Sequence, residues 1–246
     1  MNTHKKTALI TGGAGGLGLA VVECLKNHNW NTISMDILNA KCANSSIIPD
    51  LEIKADVSSS EEVQEAFNAA EREFPDINAL ICLAGVVYDA PLVGIINKKI
   101  NLYNIESWDK TLGVNLTGTF LCSREFASRK IRKRQKGVII TCSSPAATGA
   151  AGQSAYAASK AGVEAFTVSL ARELLPWGIR VCGFRPALTR TPMAEKYPPH
   201  VLKKLTDSNL IGRFAEKHEV AASVLFMLQS DLASGRILPL DGGQYL

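Results

Sequence analysis

The sequence predicts an α/β fold in which a parallel sheet is doubly wound, with helices on both faces. Three observations carry that expectation. Short apolar runs rich in Val, Ile and Leu alternate with longer stretches of helical periodicity along the whole chain. A glycine-rich turn, Gly12 to Gly18, stands between the first apolar run and the first periodic stretch. Thr11, Asp36, Asp56 and Gly85 each fall just where an apolar run stops. Ligands of such sheets bind at the carboxyl ends of the strands. At 246 residues the chain suits one domain, 1–246.

Thr7-Ala8-Leu9-Ile10-Thr11 reads as a buried strand, and the helix after the glycines turns Leu19, Val22 and Leu25 to one side. A glycine turn at a helix N-terminus suits a dinucleotide pyrophosphate. Without side chains the backbone N–H groups can approach the anion, and the helix dipole favours it. A second strand, Thr32 to Met35, ends at Asp36, where a carboxylate can accept hydrogen bonds from the adenosine ribose. Residues 37–50 read as a polar loop turning at Pro49-Asp50. Leu51 to Ala55 is a third strand, closed by Asp56-Val57. Ser58 or Ser59, followed by Glu61 and Glu62, starts a helix that runs to about Phe74. Ile77 to Leu83 is a fourth strand, ending at Ala84-Gly85.

Residues 86–105 read as an irregular connection, long enough to be functional or an oligomer contact. A helix is expected from about Glu106, with Asn115 midway, and it ends in six basic residues out of eight over 129–136. A solvated helix terminus is the plain reading of that run, since cations complement the dipole. Docking of an acidic carrier or nucleic acid is the other. Val138 to Cys142 is a fifth strand running into Ser143-Ser144-Pro145, and Ile179 to Phe184 a sixth. Pro186 and Thr191-Pro192-Met193 follow, then a stretch over 194–212 that reads as mobile. A helix over Glu216 to Leu228 and a strand over Ile237 to Leu240 close the chain before Asp241-Gly242-Gly243.

Chemistry is concentrated in Ser154 to Gly162, the start of a helix ending at Pro176-Trp177-Gly178. Tyr156 and Lys160 are four residues apart and therefore share a helix face. A free phenol holds its proton to about pH 10. One cation about 4 Å away, at an effective dielectric of about 20, favours the phenolate by roughly 4 kcal/mol. The pair can therefore serve as an acid/base near neutral pH if the site is partly dry.

Composition excludes several classes. A net charge of +4 is too mild to argue nucleic-acid binding. The six cysteines are scattered without Cys-x-x-Cys or paired histidines, so neither a metal site nor a disulfide framework is expected. The first residues carry no apolar run long enough for a signal segment or membrane span, and a cytoplasmic protein is expected.

As an ordered set, these residues resemble the short-chain dehydrogenase/reductase family over essentially the full length. The motifs are Thr11 to Gly18, Asp56-Val57, Ala84-Gly85, Asn115, Ser143/Ser144, Tyr156-x-x-x-Lys160, Pro186 with Thr191-Pro192-Met193, and Asp241-Gly242-Gly243. The resemblance implies a Rossmann-like fold and an NAD-dependent oxidoreductase acting on a secondary alcohol or ketone. It makes Tyr156 the proton donor or acceptor, Lys160 its partner and a binder of the nicotinamide ribose, and Asn115 the holder of a proton-relaying water. It places the cofactor against Gly12, Gly15, Gly16, Leu17, Gly18, Asp36, Asp56, Val57, Ala84, Gly85, Pro186 and Thr191. A serine polarises the substrate oxygen. Spacing to the tyrosine selects Ser143, whereas strand register from Gly137 selects Ser144, which is slightly favoured. Family members usually form homotetramers through helices here spanning about 106–135 and 154–175 and through the last strand. Three departures stand out: Cys82-Leu83 where the family has two asparagines, Ala187 after Pro186 in place of glycine, and a short approach at Ser234-Gly235-Arg236.

Asp36 also bears on cofactor choice. NADP carries a ribose phosphate with nearly two negative charges, and opposing these to one carboxylate at about 4–5 Å costs roughly 2 kcal/mol in water and about 7 at a dielectric of 20. Residues 12–18 hold no Lys or Arg, and Lys41 is the nearest basic residue after Asp36. NAD, and oxidation of an alcohol, are expected. Two other readings compete. One is a 3-oxoacyl-thioester reductase, acting on an acyl carrier protein or CoA substrate, for which the basic run would serve docking. The other is a non-catalytic nucleotide-binding regulator, against which the complete Asn, Ser, Tyr, Lys set argues. Separately, the long 86–105 loop resembles an insertion in family members acting on hydroxyacyl-CoA and hydroxysteroid substrates.

Overall fold

The computed structural model describes residues 5–39, 46–96, 98–191, 197–207 and 209–243. Seven strands form a parallel sheet: β1 (Thr7–Thr11), β2 (Asn31–Asp36), β3 (Leu51–Lys54), β4 (Ala79–Cys82), β7 (Gly137–Cys142), β8 (Ile179–Pro186) and β9 (Ile237–Leu240). Their order across the sheet is β3-β2-β1-β4-β7-β8-β9. The chain thus starts in the middle, winds outward to β3, and crosses back past β1 to β4. The gap between the ends of β1 and β4 is the switch point of a doubly wound sheet, where a ligand crevice opens.

Alternate strand residues point to opposite faces, and this divides the core. Leu9, Ile33, Leu80, Ile139 and Val181 pack on one face with α2 (Ser60–Glu73), α4 (Gly118–Lys133) and α5 (Ser154–Leu174), through Val63, Phe67, Phe126 and Leu174. Ala8, Ile10, Ile81, Ile140 and Phe184 pack on the other with α1 (Gly16–Asn27) and α7 (Lys217–Gln229), through Val22, Leu25, Val220 and Val224. Burial on both faces explains why β1 and β4 are apolar without alternation. Each such Leu, Ile or Phe contributes about 1.5–3 kcal/mol. Of the two serines before α2, Ser59 is the cap, its hydroxyl accepting from the Glu62 amide.

Four segments differ from the sequence expectation. Residues 86–105 are not irregular throughout: β5 (Val93–Ile96) and β6 (Lys99–Leu102) pair antiparallel as a separate ribbon. The helix around Asn115 is not uniform. It runs as α3 (Ile105–Leu112), a π-helical stretch over Gly113–Thr117, then α4. Within 194–212, α6 (Pro199–Asp207) is helical.

The basic run is only partly solvated. Arg129 bonds Glu125 at 2.6 Å and Glu71 at 2.7 Å, Lys133 bonds Glu71 at 2.8 Å, and buried Lys130 bonds Asp76. Half of the run's cations are therefore spent inside the fold, which halves the charge a docking surface would use.

Candidate active site

The end of β1 is tied to the end of β4 by Thr11, whose buried hydroxyl accepts from the amides of Leu83 and Ala84, both at 3.2 Å. These bonds hold the strand end where the family's asparagines are replaced. Gly12 needs to be glycine twice over: its φ is +67°, and a Cβ there would meet the Ala84 nitrogen at 2.8 Å. A Cβ on Gly18 would collide with the Gly12 carbonyl. The turn therefore lies flat against both β4 and α1. The N-cap of α1 is Gly15, with no side-chain cap and no acidic residue in the first turn. The first-turn amides are left for an outside acceptor, and the dipole end is uncompensated. Those are the needs of a dinucleotide pyrophosphate, so the residues present fit one.

Asp36 lies beside this turn. Its Oδ2 accepts from the Ala14 amide and its Oδ1 from Leu38, both at 3.1 Å. Each oxygen keeps a further lone pair, so Asp36 can brace the glycine turn and still receive a ribose hydroxyl. Asp56 turns its Oδ1 to the amide and hydroxyl of Ser58 at 2.9 and 2.7 Å. Val57 packs against Gly118, where any Cβ would press on its side chain.

Tyr156 and Lys160 project from the first turns of α5, with the Lys160 ammonium 5.6 Å from the centre of the tyrosine ring. Lys160 is 95% buried, and its Nζ donates to the Cys142 carbonyl at 2.9 Å, which fixes it against the end of β7. Asn115 sits in the π-helical stretch, fully buried. Its Oδ1 accepts from the Val86 amide at 2.8 Å, while its Nδ2 donates to the Val86 carbonyl and to Ser159 Oγ, both at 3.0 Å. One side chain thus clamps the segment after β4 onto α5. Asn115 Oδ1 and Lys160 Nζ both lie against Gly85.

The two serines have different surroundings. Ser143 is buried, and its hydroxyl donates to Glu164 at 2.6 Å. Ser144 is half-buried, and among the described residues its hydroxyl accepts from the Ala146 amide at 3.2 Å and donates to none, which leaves its proton for a substrate.

These groups border one cleft of about 1570 Å³ that runs from Gly12 and Asp36 to Tyr156 and beyond. Every site residue expected from the sequence borders it except Asn115, which stands behind it. Pro192, Met193 and Lys41 lie outside the described residues. At the far end are three residues that the sequence did not single out. Tyr197 donates to Asp89 at 2.6 Å, and Gln153 donates to Asp89 at 3.0 Å and to Tyr197 at 3.1 Å. Gln153, three residues before Tyr156, could have been found from helix spacing. Nothing local marks Asp89 and Tyr197, which are 108 residues apart.

Around the cleft the thiols are inert. Burial pushes Cys82 up to about 12 and also raises Cys142. The five described cysteines are free, and no cluster of possible metal ligands occurs among the described residues.

Residues 6–201 match the family model for short chain dehydrogenases. The chain is 32% identical over 249 aligned positions to the human 3-hydroxyacyl-CoA dehydrogenase type-2, covering 96% of this chain and 93% of that protein. It is 30% identical over 253 positions to a 3-oxoacyl-[acyl-carrier-protein] reductase, FabG, of Thermotoga maritima, covering 99% of each. Among solved structures, the crystal structure of gox2181 superposes with a TM-score of 0.84 at 26% identity, covering 97% of this chain and 95% of that one.

Proposed function

This chain belongs to the short-chain dehydrogenase/reductase family and is an oxidoreductase. On that premise we propose that it oxidises a secondary alcohol to a ketone with NAD, using Tyr156 as the acid/base. The observation that carries the reading is the meeting, in one cleft, of the Tyr156–Lys160 pair with an uncapped, glycine-lined helix terminus.

A nicotinamide bound here would supply the hydride acceptor for the carbinol carbon. Tyr156 receives the proton of the substrate hydroxyl, and the Lys160 ammonium stabilises the phenolate that starts the step. Ser144 orients the substrate oxygen with its free hydroxyl proton. Lys160, held by the Cys142 carbonyl, would also hold the nicotinamide ribose. Asn115 positions the segment after β4. In this proposal it also holds the water that relays protons away from Lys160. Gly12, Gly15, Gly16, Leu17 and Gly18 would cradle the pyrophosphate. Asp36 would hold the adenosine ribose, Asp56 and Val57 the adenine end, and Ala84, Gly85, Pro186 and Thr191 the nicotinamide half.

A second reading, reduction of a 3-oxoacyl thioester, is favoured by the substrate named for the Thermotoga relative. The internal pairing of Arg129, Lys130 and Lys133 weighs against carrier docking at that helix end. Free thiols at all five described cysteines suit a reducing compartment, and the proposal places the enzyme in the cytoplasm. No described helix is long and apolar enough to cross a membrane.

The test is a panel of secondary alcohols, ketones and hydroxyacyl thioesters with NAD and NADP, followed at the nicotinamide absorbance band. The proposal expects NAD-linked oxidation of at least one alcohol. Activity confined to NADP-linked reduction of 3-oxoacyl thioesters would replace it with the second reading.

A further inference from the structure

The Asp89, Gln153 and Tyr197 cluster has no part in the chemistry above, yet it closes the cleft end next to Tyr156. Gln153 occupies the N-cap position of α5 without a side-chain cap bond and lies three residues before Tyr156, on the same side of the helix. Asp89 comes from the segment after β4, which is pinned to this place by the Ala90 amide donating to the Gly152 carbonyl at 2.9 Å. Tyr197 arrives from the segment ahead of α6. Burial, then the hydrogen bond and charge of Asp89, push the Tyr197 phenol well up, so it stays a donor and does not compete with Tyr156 for the proton.

The chemistry of this corner is one-sided. A carboxylate accepts through about four lone-pair sites, and Tyr197 and Gln153 occupy two of them. Asp89 is exposed to the cleft, and no ion pair to it occurs among the described residues. The neighbouring wall is apolar, with Val87, Pro91, Ala151 and Val201. A group placed there meets the Asp89 carboxylate, with the acceptor sites that Tyr197 and Gln153 leave open. A hydroxyl or N–H on the substrate is bonded, and a carboxylate is repelled.

We infer that Asp89, held by Tyr197 and Gln153, is a specificity-determining residue that admits neutral substrates bearing a hydrogen-bond donor near the carbinol and refuses free hydroxy acids. This rests on the proposed alcohol oxidation and names the substrate class for the same site.

Three substrates of nearly one shape separate the terms: 3-hydroxybutanamide, methyl 3-hydroxybutanoate and the 3-hydroxybutanoate anion. The wild type should rank them in that order by kcat/KM. The acid should fall about tenfold or more below the amide, mainly through KM, which is the scale of a like-charge contact at a partly screened site. Asp89→Asn should raise the acid by a similar factor and lower the amide. Tyr197→Phe, which frees Asp89 to move, should blunt the ranking without reversing it. An acid used as well as the amide by the wild type, or a ratio unmoved by Asp89→Asn, overturns the inference. The same ranking is read without turnover from nicotinamide fluorescence as each compound binds the enzyme–NADH complex. Absence of turnover throughout the wider alcohol panel would count against the proposed function alone, and equal binding of acid and amide against the subsite alone.

Discussion

Ser143 Oγ donates to Glu164 Oε1 at 2.6 Å, on a carboxylate that Arg185 grips from the other side through Nε at 3.0 Å and Nη2 at 2.9 Å. That bond uses the only proton the Ser143 hydroxyl has. Ser144 spends only a lone pair on the Ala146 amide.

Ser144→Ala should therefore cost about 100-fold in kcat, the scale of a lost positioned donor. Ser143→Ala should cost much less in rate but lower stability by about 1–3 kcal/mol, since Glu164 loses a buried donor. Steady-state kinetics and denaturant unfolding of the two variants check this, and the reverse order of rates would assign the substrate oxygen to Ser143.

The serine choice shows how far the sequence could be read. β1, β4 and β7 were legible because burial on both faces forces runs such as Leu9-Ile10 and Ile139-Ile140, and strand register then favours Ser144. The glycine turn was legible because Gly12 and Gly18 answer local steric demands. The 93–102 ribbon was not, because Ile95 and Ile100 are exposed and their apolar character says nothing of a core. The basic run was misread because its partners are distant: Arg129 meets Glu71 from 58 positions away. The Asp89–Tyr197 contact failed to show for the same reason.

Asp36 sets the cofactor prediction. Its carboxylate is fixed to the glycine turn through Ala14 and cannot swing away cheaply to admit a ribose phosphate. The wild type should favour NAD over NADP by more than tenfold in kcat/KM, from at least about 2 kcal/mol of repulsion. Asp36→Ala with Ile37→Arg should narrow or reverse that ratio. An unaltered protein that prefers NADP would mean that Asp36 does not meet the ribose.

Part of the acid sensitivity should trace to two partly buried carboxylates, Glu71 and Asp50. Burial alone would raise Glu71, but hydrogen bonds and charges from Lys133 and Arg129 outweigh it and hold the group below its ordinary 4.5. Asp50 is likewise held below 3.8, burial being outweighed by Lys26 and Thr32. A depressed carboxyl stabilises the fold fully above its unfolded pKa, and that share is lost as pH falls through the folded value. Stability should thus decline from about pH 5 downward. Glu71→Gln should be less stable at neutral pH and show a shallower decline. Denaturant midpoints measured across this range check it, and an unchanged slope would remove Glu71 from the account.

Self-association should involve α4 and α5. Phe120 on α4 is 42% exposed and meets Phe166 on α5 edge to face, with ring centres 6.2 Å apart. Both helices carry site residues or their supports, so a partner on this surface would steady Tyr156 and Lys160. Light scattering at micromolar concentration should report a tetramer, and Phe120→Glu a smaller species. A monomeric wild type would contradict the proposal.

The most direct test of the account is Tyr156→Phe. The change removes one hydroxyl and leaves the ring beside Lys160, the glycine turn and Asp36 in place. Turnover and NAD affinity should be measured on the same preparation, by nicotinamide absorbance and by titration calorimetry. The account predicts loss of all but a trace of kcat, about 100-fold or more, with an NAD dissociation constant near that of the wild type. A variant that keeps a substantial fraction of its activity would contradict Tyr156 as the acid/base, however well the rest of the cleft fits.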